Sequence, residues 1–257
     1  MKIFKSKIKN YGYFCYRLTS QIIDPVKVVS GTTGYLWYLR DLIKYKMLAP
    51  DSKLVNINLF PILDEKVKYT PFDAMYFYQQ LWCFENVLKR KPKKHVDISS
   101  TYEMSGYISK ITKAVFIDYR PIDANLKNLE IQHGDILNLK LKTNTVESLS
   151  CLNVAEHIGL GRYGDPINPN GTLLACKELT RVLAPRGDLY FSIPIGKEKI
   201  CFNAHRIFNP NTILEYFSEL TLANFDVVDD EGNYIQNVKP KDYSKLNFGC
   251  GLFHFTK

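Results

Sequence analysis
A chain of 257 residues, 46% hydrophobic and 23% charged, can bury one large domain with an extension, and this composition excludes wholesale disorder. The formal charge of +8 is unevenly held: residues 1–95 carry 17 Lys/Arg against 7 Asp/Glu, and residues 96–257 carry 17 against 19. The basic third calls for an acidic partner, with nucleic acid, anionic lipid and a polyanionic or nucleotide-linked substrate all open, or else is a solvated face that keeps the chain soluble.

The first segment, Met1 to Arg17, has Lys2, Lys5, Lys7 and Lys9 but no uninterrupted apolar stretch and no cleavage site of a signal peptide. Lys2 to Lys9 with Tyr11, Tyr13, Phe14 and Tyr16 is material for nucleic acid or for peripheral contact with an anionic membrane. Nowhere does an apolar run approach the about 20 residues of a membrane span. Between Tyr35 and Leu48, residues Leu36, Leu39, Ile43 and Met47 recur at helical spacing. Phe72 to Leu88 reads the same way, with Pro71 at its start and Asp73 in its first turn. The aromatic stripes of both segments read as packing surfaces for the second region. The basic run Lys89 to Lys94 then divides the chain into a mainly helical N-terminal region, 1–91, and a second region, 92–257.

From His95 onward short apolar strands alternate with helices. Strands are expected at His95–Ile98, Ala114–Asp118, Glu130–Gln132, Val146–Leu152, Asp188–Ile193, Asn224–Val228 and Phe248–Thr256, and helices at Glu103–Ile111, Gly171–Leu183 and Pro210–Leu220. Repeated β-α-β alternation gives an α/β fold with a mostly parallel seven-stranded sheet flanked by helices. Ligands of such sheets bind beyond the carboxyl ends of the strands, so the residues just after each strand are the place to look for chemistry.

After the first strand, Asp97 leads into Ser99, Ser100 and, later, Gly106. Small side chains and backbone amides there can hold a nucleotide-like ligand, although glycines are the usual choice because they allow the closest approach. Asp118 ends the second strand, 21 residues after Asp97, where a carboxylate can accept both ribose hydroxyl protons; a surface aspartate is the alternative. Asp135, with Ile136 beside it, would lie at the rim of an adenine slot or cap a helix. The fourth strand runs into Asn153, then Glu156 and His157, then a glycine-punctuated loop with Arg162, Tyr163 and Asp165. A carboxylate beside an imidazole can act as general base, or can simply order the loop through backbone hydrogen bonds. His205 and Arg206 follow the fifth strand, and Arg206 would be a fork for a carboxylate or phosphate. Cys15, Cys83, Cys151, Cys176, Cys201 and Cys250 stand far apart, which favours a reducing cytoplasm over a disulfide framework. With five scattered histidines and no His-x-x-x-His pair, no metal site is expected.

The order of these motifs resembles the class I S-adenosylmethionine-dependent methyltransferases, most sharply from Asn153 to Pro194. The stretches from Ala155 to Asp165 and from Phe202 to Phe208 are similar to a bacterial methyltransferase-like family, domain of unknown function 268, associated with surface-polysaccharide genes. The resemblance implies a Rossmann-like class I methyltransferase fold over about two-thirds of the chain, with the N-terminal helical region as an extension. It implies S-adenosylmethionine as cofactor, with Asp97 ending the first motif, Asp118 on ribose, Asp135 and Ile136 flanking adenine, and Asn153 beside the methionyl part. Ser99, Ser100 and Gly106 would form the turn around it. Glu156, His157 and His205 would be the catalytic groups, and Arg162, Tyr163, Asp165 and Arg206 would meet the acceptor. The expected function is methyl transfer to a sugar or nucleotide-sugar precursor of surface polysaccharide, in the cytoplasm. The alternative is a methyltransferase-shaped module that has lost the cofactor and binds a glycan or partner, which the serines at the glycine-rich turn support. A nucleic-acid substrate is the least favoured.

Overall fold
The computed structural model describes residues 12–13, 15–48 and 58–257. The segment Lys2 to Lys9, with Tyr11 and Phe14, lies outside them. The chain divides into two compact units, 1–71 and 72–257. In the first unit α1, Pro25–Leu48, carries the Leu36, Leu39, Ile43 and Met47 stripe, and all four residues are exposed, Leu36 by 73%. Gly34 is the buried position of this helix, where an added Cβ would come 2.8 Å from Leu63 Cβ. Asp41 pairs with Lys66 at 2.7 Å. No described helix is long and apolar enough to cross a membrane.

The second unit begins earlier than 92, because helix α2, Ala74–Arg90, belongs to it. Asp73 is the N-cap of α2 and not a first-turn residue: its side chain accepts from Tyr76 N at 3.1 Å. Lys91, at φ 51°, ends the helix in the left-handed conformation, with Lys89 and Arg90 on the last turn beside its negative dipole end. Trp82, Cys83 and Val87 form one buried face of α2, clustered with Met104, Ile108, Leu152, Tyr190 and Leu252. That apolar face places the helix with the sheet, which a boundary drawn at the basic run did not anticipate.

The strands in chain order are β1 Lys94–Ile98, β2 Lys113–Asp118, β3 Leu129–His133, β4 Val146–Leu152, β5 Leu183–Ile195, β6 Lys199–Cys201, β7 His205–Ile207, β8 Thr221–Val228, β9 Tyr234–Ile235 and β10 Gly249–Thr256. Helices α3, Tyr102–Ile108, α4, Gly171–Val182, and α5, Pro210–Tyr216, lie between them. Eight strands form one sheet in the order β3-β2-β1-β4-β5-β10-β8-β9. The five strands from β3 to β5 are parallel, whereas β10 runs antiparallel to both β5 and β8, and β9 antiparallel to β8. The sheet is therefore mixed and has eight strands where a mostly parallel seven were expected. β9 has only two residues, and β6 and β7 form a separate hairpin.

Alternation along the strands sends Val96, Ile98, Leu149, Cys151, Leu189 and Phe191 into one apolar core, with Ala175, Leu179 and Phe217. On the opposite face a buried polar group sits beside the apolar cluster packed on α2. His95 and Asp97 on β1 meet Ser148 and Ser150 on β4, all fully buried. His95 Nδ1 and Nε2 lie 2.8 and 2.9 Å from the Ser148 and Ser150 hydroxyls. Ser150 donates to Asp97 Oδ1, so His95 Nε2 carries the proton that Ser150 accepts. Ser105 Oγ donates to Asp97 Oδ2 at 2.9 Å.

Candidate active site
The parallel strands end at one rim, and each turn there has a local cause. Ser99 leaves β1 with φ 54°, the left-handed conformation more often given to glycine, and its N–H and hydroxyl both donate to Ile117 O, at 2.8 and 3.1 Å. Asp118 ends β2 and closes a turn by accepting from Arg120 N at 2.6 Å. After β3, Gly134 is required by space: a Cβ would lie 2.4 Å from Ile117 Cγ2. Asp135 then accepts from Leu137 N at 2.9 Å. Asn153 leaves β4 at φ 52°, and its Oδ1 accepts from Ser192 Oγ at 3.3 Å.

These turns and the loop beyond Asn153 enclose a cleft with about 790 Å³ of empty space, open to solvent. Ser99, Asp118, Tyr119, Gly134, Asp135 and Ile136 line one side, and Asn153, His157, Tyr163 and Asp165 the other. Asp165 pins the loop, accepting from Gly159 N at 2.6 Å and Tyr163 N at 3.2 Å. The Arg120 guanidinium stacks 4.3 Å over the Tyr163 ring, which meets His157 edge-on at 5.6 Å.

A second cavity shares Asn153 and His157 with the first. It is lined in addition by Asp73, Tyr76, Glu156, Arg162, His205 and Phe248. His157 Nδ1 donates to Ala204 O at 2.6 Å, which leaves Nε2 as the basic nitrogen, 3.5 Å from Glu156 Oε1. Burial holds the His157 imidazole down to about 4 and pushes the Glu156 carboxyl up to about 8, so near neutrality the imidazole is uncharged. His205 stacks at a tilt on Phe248, 4.9 Å between ring centres.

Two solved structures share this framework. One is the N-methyltransferase NodS from Bradyrhizobium japonicum in complex with S-adenosylhomocysteine, at TM-score 0.51 and 14% identity, covering 79% of this chain and 93% of its own. The other is the 1,6-didemethyltoxoflavin-N1-methyltransferase of Burkholderia thailandensis, with its named substrate and S-adenosylhomocysteine bound, at TM-score 0.50 and 12% identity, covering 87% and 89%. The fold is class I methyltransferase-like. Residues 125–232 match the family described as "Caenorhabditis protein of unknown function, DUF268". No curated protein matches the chain.

Within the methyltransferase-like fold the expected site residues separate into three groups. Ser99, Asp118, Asp135, Ile136, Asn153, Tyr163 and Asp165 line the first cavity, and Glu156, His157, Arg162 and His205 the second. Asp97, Ser100 and Gly106 do not reach the wall of either. Asp97 is wholly buried beneath its serines, and burial pushes its carboxyl up to about 6. Ser100 Oγ accepts from Leu152 N at 3.0 Å, tying β1 to β4, and Gly106 lies inside α3. Arg206 is a correction as well. It is buried, and its guanidinium donates to Ile158 O at 2.7 Å, Asn168 O at 3.2 Å, and Glu156 O and Thr172 Oγ1 at 3.4 Å. Those oxygens use up the fork intended for a substrate anion. The sequence reading missed Arg120, which follows Asp118 directly, and Asp73, Tyr76 and Phe248, which no local pattern marks.

Proposed function
We propose that the protein is an S-adenosylmethionine-dependent methyltransferase, with the donor in the cleft at the strand ends and the acceptor in the adjoining cavity. The observation that carries this reading is the meeting of the two cavities at Asn153 and His157, with an acidic residue at the end of β2 and another after β3. The residues fit the cofactor. Asp118 can accept both ribose hydroxyls, Asp135 and Ile136 bracket adenine, and Asn153 borders the methionyl part. Gly134 lines the cleft with bare backbone, and Ser99 takes up the glycine-like turn with its hydroxyl folded back on β2. The bound cofactor would supply a methyl group on a positively charged sulfur, a donor that needs alignment more than covalent help. His157 Nε2, uncharged near neutrality, would take the acceptor's proton beside Glu156, and Arg162 and His205 would position it. A sugar or nucleotide-sugar acceptor is the narrower proposal: Tyr76 and Phe248 offer aromatic surface for a sugar ring, with polar groups around them.

Calorimetric titration with S-adenosylmethionine and S-adenosylhomocysteine tests the donor site. Micromolar binding is expected, weakened roughly 10- to 100-fold in Asp118→Ala, since charged hydrogen bonds are worth about 1.5–3 kcal/mol. Well-folded protein that binds neither compound would replace this proposal with the cofactor-free binding module.

A further inference from the structure
The second cavity has a polar atom in its wall that the protein leaves unpartnered. Glu156 is 2% exposed, and its Oε2 has no hydrogen-bond donor among the described residues. Buried acceptors are ordinarily paired, so an oxygen left in this state at a cavity wall points to a donor brought by a ligand. Around it the cavity offers acceptors in number. His157 Nε2 presents a lone pair, because Nδ1 is committed to Ala204 O. Asp73 comes from the cap of α2 with Oδ1 engaged by Tyr76 N. The Tyr76 and Phe248 rings complete the wall, and rings of this kind attract cations. The Arg162 guanidinium donates to Ala204 O at 3.1 Å.

Resting on the methyl-transfer reading, we propose that the acceptor atom is an amine nitrogen, bound through its N–H donors to Glu156 and delivered by Glu156 as the free amine. A hydroxyl has one proton to give and would satisfy one of these acceptors. A protonated amine has two or three, and its charge draws the Glu156 carboxyl, which burial alone keeps protonated near neutrality, into the carboxylate form that it balances. The proton-transfer chemistry agrees: burial pushes Glu156 up to about 8, nearer to an ordinary ammonium at about 10 than to any sugar hydroxyl. In the step, an N–H proton passes to the Glu156 carboxylate, leaving the lone pair on nitrogen. That pair forms the N–C bond to the methyl carbon as the C–S bond of the sulfonium donor breaks, with its electrons remaining on sulfur as a neutral thioether. The methylated amine leaves as its cation, and the proton on Glu156 returns to solvent by way of His157 Nε2.

The test uses the full chain with S-adenosylhomocysteine present and titrates matched pairs calorimetrically: glucosamine with glucose, cyclohexylamine with cyclohexanol, tyramine with tyrosol. At least one amine is expected to bind about 10-fold or more tighter than its hydroxyl partner, with that advantage lost in Glu156→Gln. Equal binding in every pair, preference for the hydroxyl, or no binding by any amine overturns the assignment, and so does an amine preference that survives in Glu156→Gln. The wild-type comparison stands even if the variant does not fold. S-adenosylhomocysteine binding is read separately and should be unchanged in the variant, so failure of the donor site is seen independently of failure of the amine site.

Discussion
Four buried titratable groups set how this unit responds to pH. Burial holds His95 down to about 3 and His157 to about 4, and pushes Asp97 up to about 6 and Glu156 to about 8. Below 6.5 the unfolded chain protonates histidines that the folded chain keeps neutral, so their contribution is lost as pH falls from 6.5 toward 4 and 3. The carboxyls act in the other direction. Folded Asp97 and Glu156 hold protons that the unfolded chain has released, so stability is lost as pH rises from 3.8 to about 6 and from 4.5 to about 8. Between 4.5 and 6 the two pairs oppose each other, and above 6.5 Glu156 acts alone among them. At about 1.4 kcal/mol per pH unit, its window from 6.5 to 8 is worth about 2 kcal/mol. Urea unfolding at pH 6.5, 7.2 and 8 should show the wild type losing about that much relative to Glu156→Gln. A constant difference between the two proteins across the series would refute the buried-acid account.

At the scale of elements, the loop between Asn153 and α4 is held from below by Arg206 on β7. Its guanidinium is the shared partner of carbonyls at Glu156, Ile158 and Asn168, and the loop's return is tight enough that a Cβ on Gly171 would lie 2.1 Å from Ile158 O. Arg206→Met should therefore cost about 2–4 kcal/mol, because the carbonyls are left buried and unpaired. It should also weaken S-adenosylhomocysteine binding, because Tyr163 and Asp165 ride on the same loop. Denaturant midpoints and calorimetry would check both; a variant as stable as wild type would mean that solvent replaces the guanidinium. None of this could be read from the sequence, where an arginine after a strand end looks like a ligand for anions. The oxygens it serves lie 34 to 50 residues away. β5 was legible only in part for a related reason. Pro185 and Gly187 read as breakers, yet the strand begins at Leu183, which pairs with Val146 before a bulge resets the register to Ser148 and Asp188.

At the scale of the molecule, the alternation of apolar strands and amphipathic helices after His95 was enough to give the α/β layers and the rim where ligands bind. The direction of β10 was not legible, because period-two burial is the same for a parallel and an antiparallel strand. Most of the first cavity's wall was readable since those residues directly follow β1 to β4. The second cavity's wall was readable at Asn153, Glu156, His157, Arg162 and His205. Asp73 and Tyr76 enter from a helix that precedes the sheet, and Phe248 from the lead into the last strand, and only folding brings them together. The charge asymmetry remains a property of the sequence: Lys2 to Lys9 lie outside the described residues, the basic run Lys89 to Lys94 spans the end of α2 and the start of β1, and the cavities of the second unit are lined by both signs.

The wall shared by the two cavities has a kinetic consequence. Asn153 and His157 line both compartments, so the methyl-transfer proposal seats donor and acceptor on two sides of one partition. Direct transfer across it would require both reactants to be seated at once, a sequential mechanism. Initial-rate plots at several fixed donor concentrations should converge to an intersection. Parallel lines would instead mean a methylated enzyme, with His157 Nε2, which lines both cavities, as the carrier.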